Sequence, residues 1–308
     1  MTTPPCSTSA RRRGDPLVGT AAPATRWLLV EHPGGWAPAA LDSEGIASTV
    51  ADRLHRAALD VGGRVVLVRR PVERGAGARR EAVRRWGVVD VDGRQQWGTW
   101  RGSDDLLAAL PVLVDGPAAS AHGPGDPVPA PPPTPLVLVC THGRHDVCCA
   151  VRGRPVALAL AARWPDQAWE CTHIGGDRFA ANVLVVPDGT VYGSLDPESA
   201  VDVVERHLLG TVDTEHLRGF SAHPPPVQAA LAAVLRAHGP AAVGDVRPGG
   251  VATTGDDWRV EVLGAGVVPV RSEVMVHRTR QAAARLTCRA EADAAAFVWT
   301  TSVADLDT

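Results

Sequence analysis

Residues 136–194 read LVLVCTHGRHDVCCAVRGRPVALALAARWPDQAWECTHIGGDRFAANVLVVPDGTVYGS. Positions 136–139 are wholly apolar, as expected of a strand covered on both faces, and Cys140 closes them. A helical stretch is expected from 148 to 164, a second strand over 168–172 and a short helical turn over 179–182. Residues 183–186 and 190–194 then form a hairpin around Asp188–Gly189, since Asp-Gly suits the tight two-residue turn. A helix over 198–209 follows, stopped by Gly210.

The order β-α-β, a short connection, then β-β-α is that of a thioredoxin-type fold. The preceding stretch, 25–114, repeats the plan. It offers a strand at 27–31 and a helix over 43–59, in which Ile46, Val50, Leu54 and Ala58 recur at helical spacing and Ser43 stands as N-cap. A strand at 64–69 follows, then a hairpin of 86–91 and 94–100 around Asp92–Gly93, and a short helix over 104–110. Each hairpin is followed by an aromatic-glycine pair, Trp97–Gly98 and Tyr192–Gly193. The fold class is therefore read as α/β, with two degenerate thioredoxin-like units, 25–114 without ligands and 136–210 with them. A Pro- and Gly-rich linker, 115–135, separates them, because proline withholds a backbone donor. Residues 1–24 read as a disordered tail. Residues 211–308 read as a small α+β region, with a helix over 227–237 and strands at 258–263, 267–271 and around 286–288.

Composition narrows the class. With 45% hydrophobic and 21% charged residues, the chain reads as ordinary globular protein. A net charge of −3 gives no pull toward nucleic acid or an anionic membrane. All basic residues are arginine, a compositional bias without functional meaning. Arg11–Arg13 is followed by Gly14 and Asp15 rather than an apolar run, so no secretory signal is read. No stretch approaches the roughly 20 apolar residues that span a bilayer. A cytoplasmic protein is expected.

Cysteine placement carries the chemistry. Four of the six cysteines, Cys140, Cys148, Cys149 and Cys171, crowd into the quoted stretch, while Cys6 and Cys288 stand apart and read as structural. Such clustering without a secretory signal points to metal or redox chemistry. Cys140 ends a strand, and Cys149 falls near a helix N-terminus, where the macrodipole and free N–H groups favour thiolate. His173 follows the neighbouring strand; strands lie about 4.8 Å apart, so it can reach the site of Cys140. Gly175 and Gly176 let backbone approach a bound inorganic group. Asp177 offers an oxygen. Two thiolates with an imidazole suit zinc or an iron–sulfur cluster, and spacing does not choose between them.

The pattern Cys-x8-Cys within C-T-H-G-R, followed by H-I-G-G-D-R-F-A-A-N and P-D-G-x-x-Y-G, resembles the sucrase/ferredoxin-like family over about 27–217, most specifically over 140–193. The resemblance implies a thioredoxin-like domain carrying a [2Fe–2S] cluster. Such a protein is an electron carrier rather than a stand-alone enzyme, and works with a redox partner protein. In eukaryotic relatives the cluster is held by two Cys and an H-x3-H pair. By position these ligands match Cys140, Cys149, His173 and Asp177. The second histidine is aspartate here, a hard ligand, so Cys171 or Cys148 are alternatives for the fourth place.

Two other classes compete. A thiol–disulfide oxidoreductase would use Cys148 or Cys149 as nucleophile, although no Cys-x-x-Cys stands at the strand-to-helix turn. A structural zinc site would make the chain a binding module. His142 and His145 either hydrogen-bond a cluster or relay protons, or are solvated loop residues. Arg144, Asp146 and Arg178 read as solvated ion pairs, with pairing around the site or a docking rim as the alternatives. The glycines Gly264 and Gly266 lie between strands rather than before a helix, which argues against nucleotide binding. No carboxylate pair suited to sugar hydrolysis stands out.

Overall fold

The computed structural model describes residues 4–71, 83–118 and 134–306. In chain order its regular elements are α1 (Cys6–Arg13), β1 (Arg26–Glu31), α2 (Ser48–Asp60), β2 (Gly63–Arg69), β3 (Arg84–Asp90), β4 (Gln95–Trp100), α3 (Ala109–Asp115), β5 (Leu136–Cys140), α4 (Val147–Arg163), β6 (Ala168–Cys171), β7 (Val183–Val186), β8 (Thr190–Tyr192), α5 (Pro197–Leu208), β9 (Leu217–Phe220), α6 (Pro225–His238), β10 (Val246–Thr254), β11 (Asp257–Gly264), β12 (Arg271–Arg280) and β13 (Phe297–Asp305). The protein is mixed α/β, with a large mixed sheet. Among the described residues no helix is long and apolar enough to cross a membrane.

The chain divides into two compact units. The first comprises Ala24–Ile174 with Val183–Gly189. Its strands follow the order β4-β3-β1-β2-β6-β5-β7. The pairs β1·β2 and β5·β6 are parallel, each bridged by one helix, α2 or α4. β3 runs antiparallel to β1, β4 to β3, and β7 to β5. The two halves meet at an antiparallel seam, Val68 opposite Cys171 and Arg69 opposite Glu170. The first half is therefore 4-3-1-2 in its own strand numbering, and the second presents its strands 2-1-3 in mirrored order. Of the expected linker, residues 119–133 lie outside the described residues.

One face of the first half carries the core. Leu28 and Val30 of β1, Leu67 of β2, and Trp86 and Val88 of β3 pack on Val50, Leu54 and Ala58 of α2 and on Leu113 of α3. The helix pattern from Ile46 to Ala58 is legible because only that stripe is buried. The helix itself starts later than the cap expected at Ser43. Ser43 is extended, its hydroxyl accepts from the Ala37 N–H (3.0 Å) and donates to the Ala40 carbonyl (2.6 Å), and Ala47 takes the N-cap position. A hydroxyl already committed to a tight turn is not available to cap.

The second unit comprises Met1–Pro23, Gly175–Asn182 and Thr190–Thr308. A helix, α1, occupies a stretch read from sequence as a disordered tail. It ends in a left-handed Gly14 (φ 65°) whose N–H caps Ala10 and Arg11 carbonyls, and Arg11–Arg13 complement the negative end of its dipole. The C-terminal strands form a four-stranded antiparallel sheet, β10-β11-β12-β13, with α6 packed on one face. Val260, Val262, Val274 and Val276 point to that buried side. The expected strand at 267–271 is instead the approach to β12, and 286–288 holds no strand. β10 and β13 are largely exposed and lack the alternation that would have revealed them.

Candidate metal centre

The site is assembled where β5 runs into α4. Asp146 is the helix N-cap: its backbone is extended and its carboxylate accepts from the Cys148 N–H at 2.8 Å. Its carbonyl accepts from the Cys149 N–H (3.1 Å). Cys149 therefore occupies the third helical position, inside the turn whose N–H groups favour a negative sulfur. On the next turn Gly153 faces the Cys140 carbonyl, with no room for a β-carbon, so the helix lies directly on the strand end.

His173 lies just beyond β6. Sulfur atoms of Cys140 and Cys149 and a ring nitrogen of His173 all lie within 4.8 Å of one another. Both cysteines are buried and His173 is half-buried. The Cys149 thiol, donating to the Cys140 sulfur, holds the Cys140 thiol well below the ordinary range. His173 and a backbone N–H from His142 add to this, against the opposing effect of burial. Cys171 behaves oppositely: burial, reinforced by the Cys140 charge, pushes its thiol well up. Burial thus disfavours the charged form of Cys171, a packed sulfur at the same edge.

Two further groups shape the site. Arg64 of β2 is half-buried and donates to the carbonyls of His173 (3.4 Å) and Ile174 (3.3 Å). Burial lowers its pKa, and the charges of Cys171 and Cys140 oppose that, placing a cation beside the sulfurs. His142 is buried, which lowers its pKa. Its Nε2 donates to the Ala37 carbonyl (2.7 Å), which leaves Nδ1 to accept from the His173 N–H (3.4 Å). That pair of bonds assigns the neutral Nε2–H tautomer and fixes the backbone carrying His173. The ring of His145 stacks on that of His173, centroids 3.9 Å apart at 25°.

The remaining sequence candidates fall as follows. Cys148 is buried in the first turn of α4. Gly175 (φ 92°), Gly176 (φ 76°) and Asp177 belong to the second unit. Asp177 is buried and opens a single turn of 3-10 helix, Asp177–Phe179. In that unit the fully buried Arg218 donates to the Gly175 carbonyl (2.9 Å), to Asn182 Oδ1 (3.0 Å) and to both oxygens of Thr20, and Gly176 leaves room for its guanidinium. Sequence reading misses Arg64 and Arg218. Neither sits in a motif, and each acts on a loop far along the chain.

The sucrase/ferredoxin-like family model matches residues 17–219 of the 308. The chain belongs to the sucrase/ferredoxin-like family. The match contains the whole Cys140–Asp177 segment, so in this family member the converging cysteines and histidine lie inside the shared region. No curated protein and no solved structure matches the chain. The donor set of the sucrase/ferredoxin-like chain fits a metal centre. Two sulfurs, one already favoured as thiolate, and an imidazole converge at the end of β5, a set suited to zinc or iron–sulfur chemistry.

Proposed function

We propose that this sucrase/ferredoxin-like protein is an electron carrier whose thioredoxin-like halves hold a [2Fe–2S] cluster through Cys140, Cys149 and His173. The convergence of those three ligand atoms within 4.8 Å carries the reading. The strand order 4-3-1-2, with β3 antiparallel, supports thioredoxin-like halves. When bound, the cluster supplies a one-electron couple. The chain's own residues hold the sulfurs as thiolates, keep water away by burial, and set the charge around the site. Arg64 favours the more negative, reduced state, and a histidine ligand raises the potential above that of an all-cysteine site.

The partner would be a redox protein meeting the start of α4. There Val147 and Val151 are 50% and 65% exposed, one helical turn apart, and Arg144 is exposed beside them. For the fourth ligand, the neutral thiol of Cys171 is disfavoured. Cys148 points away from its neighbour Cys149, as adjacent helical residues do. Asp177 is a hard donor.

Anaerobic purification with iron, sulfide and zinc analysis tests the proposal, together with optical and EPR spectra. Two irons and two sulfides per chain, with a paramagnetic signal on one-electron reduction, are expected. One zinc and no iron would replace the electron carrier with a structural zinc module.

A further inference from the structure

A [2Fe–2S] cluster bound to protein takes four ligands, and Cys140, Cys149 and His173 supply three. We infer that His145 is the fourth. The inference rests on the cluster reading and names the residue that completes it.

His145 lies in the loop 141–146 that joins β5 to α4, between the two cysteine ligands in sequence. That loop is tightly held. The Gly143 N–H donates to the Thr141 carbonyl (2.8 Å), and the His145 and Asp146 N–H groups both donate to the His142 carbonyl (3.0 and 3.1 Å). The backbone therefore turns His145 back over the strand end rather than out along the helix. Its ring lies nearly parallel to the His173 ring at 3.9 Å, and the two residues offer ligand nitrogens within 4.8 Å of each other. Two imidazoles brought this close, each half-buried, present two nitrogen donors side by side. Cys140 and Cys149 present two sulfurs in the same way. The resulting division, two sulfurs and two nitrogens, suits a cluster with one iron held by cysteines and the other by histidines. Imidazole is also the better match than carboxylate for this chemistry.

Pulsed EPR of the reduced, cluster-loaded full chain counts the coordinated nitrogens. Two distinct histidine couplings are expected from the unmodified protein, and His145→Cys should lose one of them while keeping iron and sulfide. Asp177→Asn, Cys148→Ala and Cys171→Ala should leave both couplings unchanged. A single nitrogen coupling in the unmodified protein overturns the inference while leaving the cluster in place. So does loss of the spectrum on Asp177→Asn with His145→Ala unaffected. If the chain takes up no iron and sulfide, the electron-carrier reading fails separately. The same assignment is then read with cobalt(II), whose d–d bands should shift in His145→Ala and not in Asp177→Asn. Bands that ignore His145→Ala, or no cobalt uptake at all, overturn it.

Discussion

Cys140 and Cys171 are register partners across the parallel pair β5·β6, and their thiols are driven in opposite directions, one toward thiolate and the other away from it. Neighbouring sulfurs at one sheet edge thus divide into one favoured as thiolate and one held as thiol. The division comes from who donates to whom: Cys140 receives from Cys149, His173 and a backbone N–H, whereas burial dominates at Cys171.

Substitution should separate the two. Cys140→Ala and Cys149→Ala should abolish stoichiometric metal uptake. Cys171→Ala should retain it and cost about 1 kcal/mol of stability, as a small core truncation usually does. Metal content beside urea midpoints checks this. A Cys171→Ala protein purified without metal would contradict the assignment.

The same pair gives the metal-free protein a two-sided pH dependence. Cys140 has a lowered folded pKa, so its contribution is complete above the unfolded thiol value of about 8.5. That contribution is lost as pH falls from there through the lowered folded value. For Cys171 the sign reverses: stability is full below about 8.5 and declines as pH rises toward the raised folded value. Urea midpoints of metal-free protein measured across this range should peak near the middle. Cys140→Ser should flatten the acid limb and Cys171→Ala the alkaline one. Unchanged limbs in both variants would refute the assignment.

Gly153→Ala sets a methyl against the Cys140 carbonyl and must push α4 off β5. A loss of about 1–3 kcal/mol is expected from such overpacking. Because the helix start carries Cys149, metal affinity should fall with it. Ala substitution at the exposed Val151, two positions earlier, is the control and should change neither.

Arg64→Met removes a cation beside the sulfurs while keeping its apolar stem. The reduced, more negative centre loses more than the oxidised one, so the potential should drop by something on the order of tens of mV. Spectroelectrochemical titration measures it. An unchanged or higher potential would show that the Arg64 charge is not felt at the site.

Much of the fold and of the site is legible in the amino-acid sequence. The segment 136–194 announces its strands by apolar runs, its hairpin by Asp188–Gly189, and the convergence of its sulfurs by cysteines at a strand end and a helix start. Those signals are local. Arg64 is not legible, because it reaches the site through strand pairing across β2 and β6 rather than through sequence neighbourhood. His145 reads as a loop residue that either serves a cluster at a distance or is solvated, not as a ligand; its ring stacking depends on where β6 delivers His173. The strands β10 and β13 stay hidden because most of their residues are exposed, so no burial period marks them. Helix α1 hides behind a Pro- and Thr-rich beginning, and its cap, Gly14, resembles the start of a coil.

The seam between β2 and β6 makes the half that carries Cys140 and Cys149 unfit for excision. Cut away the first half, and β6 would be left with bare amides and carbonyls along the very edge that carries Cys171, an open template for sticking to other chains. A minimal version of this protein would have to begin upstream of β1, for the first half serves as the wall against which the second half is built.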